Sequence, residues 1–314
     1  MTNLSETFDY IVVGGGSAGC VLANRLSSDP ANKVLLLEAG NKGHFLSRVP
    51  VSFSLLIDNP AANWCYRSEP ESGTNNPNIP IPRGKRLGGS RAINGLVYVR
   101  GQQLDYDTWA QLGNRGWSYA DVLPFFKSME SFDKGGSAYR GRSGPLRVTE
   151  VVDQNPIYEQ LFKAGAALGI VRNDDYNGAD QEGFSRTQTT SSRGRRMSAD
   201  FAYLRPIRHR KNLTIKTRAL VTRLLFNQKL CIGVEAVIEG KIVTFEARKE
   251  VILSAGAINS PQILELSGVG QPAILEKNDI PLVQAITGVG ETLRDHIGPR
   301  LVFRITNPGL AYTD

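Results

Sequence analysis

The apolar positions change period along the chain in a way that outlines its first elements. Tyr10, Ile11, Val12 and Val13 form a short continuous apolar run, which reads as a buried strand. Ala18, Val21, Leu22 and Leu26 then recur at helical spacing on one face. A second apolar run, residues 34–37, ends at the acid Glu38. Strand, helix and strand make one βαβ unit. The next stretch, 41–81, loses periodicity and is rich in Asn, Pro and Gly, yet it contains Phe53, Leu55, Trp64 and Tyr66, so it has to pack somewhere.

Helical patterns return over 105–112 and 118–129, where Ser118 suits an N-cap and Asp121 the third helical position. A strand at 146–148, a helix at 156–168 and a polar, glycine-bearing region at 173–196 follow. From residue 213 short strands dominate: 213–216, 219–226, 231–238, 242–247 and 250–253, with a turn at Glu239 and Gly240. A last helix is expected to start with Ser260 as N-cap and Pro261 as first residue. Residues 301–305 read as strand. This order predicts an α/β protein in which the late strands return to the first sheet.

A chain of 314 residues carries a prior of two domains. None of its apolar runs approaches membrane-spanning length. The polar start, residues 1–7, leads into the first strand with no leader-like segment, and the cytoplasm is the expected compartment. Cys20, Cys65 and Cys231 are too far apart for metal spacing and odd in number, so neither a disulfide framework nor a metal site is expected. The net charge of +7 brings nucleic acid into consideration. Basic residues do cluster, at Arg83, Lys85, Arg86, Arg91 and Arg100 and again at Arg193, Arg195, Arg196, Arg205, Arg208, Arg210 and Lys211. No helix-turn-helix, zinc or aromatic RNA-platform pattern accompanies them, which argues against nucleic acid as a partner. Solvated surface and contact with an anionic cofactor are expected instead.

The chemistry is carried by glycine. Gly14, Gly16 and Gly19 lie between the first strand and the first helix. Gly14 permits a tight turn, Gly16 lets a pyrophosphate approach bare backbone, and Gly19 lets helix and strand pack closely. The helix start beginning at Ser17 offers N–H groups and positive dipole to phosphates, while Glu38 suits the ribose hydroxyls of a dinucleotide. A second loop, Gly84 to Gly101, has paired glycines at 88 and 89, whose N–H groups are expected to form an anion nest. A third site, Ser254-Ala255-Gly256, repeats the strand–glycine–helix theme.

These blocks together resemble the glucose–methanol–choline (GMC) family of flavin oxidoreductases, from about Phe8 to Pro299. Gly84-Lys85-Arg86-Leu87-Gly88-Gly89-Ser90 with Ile93-Asn94 is similar to one family block, and Gly256 through Gly270 to another. Gly288-Val289-Gly290 and Leu293-Arg294-Asp295-His296 resemble a further stretch. The resemblance implies a Rossmann-like FAD-binding domain, discontinuous over 1–143 and 213–300. It also implies the start of an α+β substrate-binding domain over 144–212 and 301–314. Gly14, Gly16, Ser17 and Gly19 would meet the FAD pyrophosphate and Glu38 the ribose. Arg86, Gly89 and Ser90 would run past the pyrophosphate. Asn94, Gly95, Leu96 and Val97 would lie along the isoalloxazine, Val221 would meet the adenine through its backbone, and Ala255 and Gly256 would close the phosphate end.

The activity implied is oxidation of a CH–OH group in a small-molecule alcohol, with hydride passing to flavin and an electron acceptor that the sequence does not name. A histidine is suited to take the hydroxyl proton. His44, His209 and His296 all read as structural or surface residues, so no catalytic residue is named. Family members are longer, and the chain is read as a fragment whose catalytic histidine lies beyond residue 314, inactive on its own. Arg91 departs from the family's usual small hydroxyl residue. Ile93 stands where some members carry a histidine bonded to flavin, so the FAD expected here is non-covalent. Three alternatives stay open at this level: a flavin-containing lyase or decarboxylase of the same fold, a nicotinamide-dependent dehydrogenase, and a non-catalytic FAD-binding polypeptide. The second and third blocks argue against the nicotinamide enzyme.

Overall fold

β1 (Glu6–Val13), α1 (Ser17–Leu26) and β2 (Val34–Glu38) form where the apolar periods place them. In chain order there follow α2 (Gln103–Gln111), α3 (Tyr119–Met129), β3 (Glu130–Phe132), β4 (Leu146–Glu150), α4 (Ile157–Ala167) and β5 (Gln188–Thr189). The C-terminal elements are β6 (Leu213–Thr217), β7 (Ala219–Asn227), β8 (Leu230–Ile238), β9 (Lys241–Leu253) and α5 (Gly256–Leu266). The structure, a computed structural model, describes residues 6–43, 45–75, 77–296, 298, 301, 302, 304 and 305.

The chain divides into two compact units, one of residues 1–95 and 194–294 and one of 96–193 and 295–314. These breaks follow residues 95, 193 and 294, where the family resemblance implies 143, 212 and 300. Residues 96–143 join the second unit because β3, at the end of α3, pairs with β4 rather than with the large sheet.

The first unit is built on a six-stranded sheet of order β6-β2-β1-β9-β8-β7. β6, β2, β1 and β9 run parallel, and β9, β8 and β7 are joined as antiparallel hairpins. All five residues of β2 are buried, as suits a strand covered on both faces. Its core gathers Phe8, Ile11 and Val13 from β1, Leu35 and Leu37 from β2, Val221 and Leu224 from β7, and Phe245 from β9. Phe8 and Phe245 meet edge to face at 6.2 Å. The turn between β8 and β9 uses Glu239 at φ 51° and Gly240 at φ 76°, the paired positive φ of a tight hairpin.

Three expectations are corrected in detail. β9 is one strand of 13 residues and not two. Opposite Asp9, β9 carries both Arg248 and Lys249, so a bulge absorbs the polar step that seemed to end a strand. Asp9 holds that bulge by accepting from Lys33 N at 2.7 Å and Arg248 Nη1 at 3.4 Å. α5 begins at Gly256 with Ala255 as its cap, and Pro261 lies inside it. The chain turns directly out of β9 at Gly256, φ 92°, so the helix starts before Ser260 is reached. Residues 301, 302, 304 and 305 are not strand, since none of them pairs with a neighbour; Phe303 lies outside the described residues.

The second unit has a small sheet, β3 parallel to β4 and β4 antiparallel to β5. Ser118 caps α3 in a reciprocal box with Asp121, as its position implies. Tyr106 of α2 meets Phe126 of α3 edge to face at 5.7 Å, and Trp109 of α2 meets Trp117, just before α3, at 5.8 Å. Phe125 is 72% exposed, because Phe126 takes the inward face of the helix.

Candidate functional site

The turn from β1 into α1 is locked from the protein side at two of its three motif glycines and open at the third. Gly14 sits at φ 99°, and a Cβ there would lie 2.5 Å from the Ser254 carbonyl oxygen. A Cβ on Gly19 would lie 1.9 Å from the Gly14 carbonyl oxygen. Those two positions are glycine because the fold leaves no room. Gly16 differs: the nearest atom to its would-be Cβ is the Gly89 Cα, 3.9 Å away. It stands as N-cap of α1, facing open space where the first N–H groups of the helix point outward.

Glu38 ends β2 beneath this turn, buried at 6% exposure. One carboxylate oxygen accepts from Gly15 N and the other from Gly40 N, both at 2.8 Å. The residue expected to bind a ribose therefore also pins the glycine turn to the next loop. Burial pushes its carboxyl above the usual glutamate range, against the two N–H donors and the positive charges of Arg86 and Lys85. A raised acid favours the fold in its protonated form, so this contribution is complete at acid pH and is lost as pH rises through the raised value. Glu38→Ala is expected to lower both FAD retention and the stability of the FAD-free protein. Each backbone donor left unpaired costs about 1–3 kcal/mol, partly offset by removing the buried charge. Flavin retained on purification and thermal unfolding without FAD check the two effects separately.

The second glycine loop abuts the first. Gly88 N donates to Gly15 O at 2.8 Å and Gly89 N to Arg86 O at 2.9 Å. Both N–H groups are thus spent within the protein, and the anion nest expected of them is not formed; the paired glycines, at φ 89° and 55°, serve close approach instead. The basic residues of this loop and of the run at 193–196 are not uniformly solvated either. Arg86 and Arg196 are buried at 3% and 1% exposure, and Arg100 at 4%. Burial lowers Arg86 below the usual guanidinium range, with Asp200 and Glu38 opposing the shift.

Between these strips and α5 lies a cleft of about 1110 Å³. Gly14, Gly16, Ser17 and Glu38 line it on one side, with Gly89 and Ser90 from the second loop. Val221, Ala255 and Gly256 line it from β7 and the start of α5. β7 is the sheet edge, with a bulge just after Val221, so main-chain groups there are within reach of a ligand. Of the other expected residues, Gly19 and Arg86 lie behind the wall. Asn94 and Gly95 are exposed at the end of the second loop, outside the cleft lining. Leu96, buried with φ 70°, and Val97, half exposed, belong to the second unit.

Sequence reasoning missed the aromatic wall. Trp64 and Tyr66 stack at 5.7 Å with planes 7° apart, and both line the cleft. Asn259 Nδ2 donates to the Tyr66 hydroxyl at 2.7 Å, tying α5 to that wall, and the Lys85 ammonium lies 4.5 Å from the Trp64 ring centre. The only signal was two large aromatics in a stretch without period.

The family model for GMC oxidoreductases matches residues 8–298. The chain belongs to the GMC oxidoreductase family. It is 44% identical over 313 residues to an oxygen-dependent choline dehydrogenase of Escherichia coli K12, covering 97% of this chain and 56% of that protein. A choline dehydrogenase of Photobacterium profundum is 42% identical over 297 residues, 94% of this chain and 52% of that one. Among solved structures, pyridoxine 4-oxidase from Mesorbium loti superposes with TM-score 0.85 at 33% identity, over 89% of this chain and 55% of that chain. A formate oxidase variant from Aspergillus oryzae, studied for its FAD modification, gives TM-score 0.82 at 27% identity, over 90% and 51%. The chain spans about half the length of the relatives it matches.

GMC oxidoreductases are FAD-dependent flavoproteins, and the cleft suits that cofactor. Its volume is above the roughly 300–1,000 Å³ of an ordinary small-molecule pocket. Its floor is bare at Gly16, where the protein itself imposes no need for glycine. Ile93 is buried and has no side-chain heteroatom with which to bond a flavin. His209 is exposed, and the His296 main-chain N–H donates to Asp295 Oδ1 at 2.9 Å; His44 lies outside the described residues. Among the described residues no group of acids, cysteines and histidines is placed to hold a metal, and no helix is long and apolar enough to cross a membrane.

Proposed function

We propose that this chain is the FAD-binding part of an enzyme that oxidises the CH–OH group of a small alcohol. The observation that carries this reading is the contrast at the glycine turn: Gly14 and Gly19 are closed by protein atoms, whereas Gly16 is open to a ligand. In this reading Gly16 and Ser17 face the diphosphate, with the α1 N-terminus supplying donors and positive potential. Gly19 keeps the helix close enough to do so. Glu38 receives the ribose hydroxyls on the lone pairs its two backbone donors leave over. Val221 offers backbone to the adenine, and Ala255 and Gly256 close the phosphate end at the start of α5. Arg86, Gly89 and Ser90 bound the pyrophosphate from the second loop, and Asn94 and Gly95 follow toward the isoalloxazine.

When bound, the flavin supplies a hydride acceptor; the chain supplies orientation and electrostatics. None of the described histidines is assigned the proton-accepting role. Choline-type alcohols are the first substrates to try, since choline dehydrogenases are similar to nearly the whole chain at 42–44% identity.

Titration of the purified protein with FAD and with NAD tests the proposal, followed by flavin fluorescence and melting temperature. FAD is expected to bind non-covalently, raise the melting temperature and return to solution on denaturation. A protein that takes up NAD and rejects FAD would overturn the reading.

A further inference from the structure

The second glycine loop rests on a buried cation that has no counter-charge paired with it among the described residues. Arg196 Nη1 donates to Asn94 Oδ1 at 2.9 Å and to the Arg91 carbonyl at 3.2 Å. Its Nε and Nη2 are buried and have no hydrogen-bond partner among the described residues. Every acid that ion-pairs among those residues does so with another base. The charge acting most directly on Arg196 is another cation, Arg86, and burial together with that neighbour lowers the Arg196 guanidinium to about 10. Arg86 at least has Asp200 and Glu38 acting in its favour.

Burying an ion without a partner is among the most costly arrangements in a protein. Linking a carbonyl oxygen to an amide oxygen does not demand it, because a neutral donor makes the same two hydrogen bonds. The charge itself therefore has to be useful in some state of the protein. Arg196 does not itself line the cleft, but the loop it grips contributes Gly89 and Ser90 to the cleft wall, and a charge buried away from water is screened less than an exposed one.

We propose that Arg196 is a positioning residue whose buried charge is compensated by the phosphate-bearing ligand of the cleft, so that it weakens the empty protein and strengthens binding. This rests on the FAD reading above and adds to it a specific exchange of stability for affinity. A purely structural arginine would do the opposite in the empty state: its removal would unlatch Asn94 and the Arg91 carbonyl and lower stability.

Arg196→Met and Arg196→Lys in the full chain separate the two roles. Melting temperature is read without ligand, with FAD, and with inorganic pyrophosphate; affinities are read for FAD and for riboflavin, which has no phosphate. For Arg196→Met the ligand-free protein is expected to melt at or above the wild-type temperature. FAD affinity is expected to fall at least about tenfold, riboflavin affinity to fall much less, since only the released Asn94 touches the ring, and the stabilisation by pyrophosphate to disappear. Arg196→Lys is expected to keep most of the FAD affinity. A methionine variant that fails to fold or melts lower without ligand overturns the inference, as does an equal loss of FAD and riboflavin binding. If wild-type protein binds no FAD, the functional proposal fails. The pyrophosphate comparison still decides the inference then: equal response of wild type and Arg196→Met overturns it, and loss of response in the variant supports it.

Discussion

Gly16→Val is expected to give a folded protein that no longer retains FAD. The Cβ of a residue at this position meets nothing nearer than the Gly89 Cα at 3.9 Å, and the backbone, at φ −78° and ψ −156°, is one that any residue adopts. The fold loses little, under about 1 kcal/mol for a poorer helix cap. The branched side chain instead projects from the N-cap of α1 into the cleft, where the diphosphate needs to reach the first N–H groups. A loss of about 100-fold or more in FAD affinity is expected, roughly 2.7 kcal/mol. Gly19→Ala is the matched control. Its methyl would sit 1.9 Å from the Gly14 carbonyl oxygen, so the damage falls on the fold, by about 3 kcal/mol. Chemical denaturation of both variants without FAD, beside FAD titration, reads this difference. Normal FAD affinity in the valine variant would remove the glycine turn from the binding site.

Glu130→Ala is expected to destabilise the second unit severely. Glu130 is fully buried at the start of β3. One of its carboxylate oxygens accepts from Arg140 Nε at 2.9 Å and Gly141 N at 2.8 Å and lies 2.7 Å from Arg100 Nη2. The other accepts from Arg140 Nη2 at 3.2 Å. Arg140 keeps a second acid, Asp175, at 2.5 Å, whereas Arg100 has no other ion pair among the described residues. Alanine therefore strands one guanidinium and half-strands another, both buried at 4% exposure or less. Breaking a buried pair in this way costs about 3–5 kcal/mol. Urea unfolding followed by tryptophan fluorescence suits the test, since Trp109 and Trp117 both lie in this unit. A loss below about 1 kcal/mol would show that the network is better hydrated than its burial implies.

The two arginines Arg100 and Arg196 illustrate how unevenly the chain discloses itself. Arg100 stands in a basic run that reads as solvated or anion-facing, yet it is buried against an acid thirty residues further on. Arg196 stands in another such run and is more deeply buried still. Charge counts along a sequence report composition and not environment, and only folding decides which cations lose their water.

From the amino-acid order alone came the βαβ unit, the late hairpins, the capping of α3 by Ser118 and Asp121, the glycine turn with Glu38, and the family. Each rests on interactions within a few residues or on a period that one element repeats, so the information is local. The tertiary structure decided the rest. It made β9 one strand by placing a bulge opposite Asp9, and it spent the Gly88 and Gly89 N–H groups on Gly15 and Arg86. It set Trp64 and Tyr66 into the cleft wall and separated Gly16, which faces the open cleft, from Gly14 and Gly19, which face the protein. Those outcomes depend on atoms brought together from distant parts of the chain, and spacing within one segment carries no record of what will stand across from it.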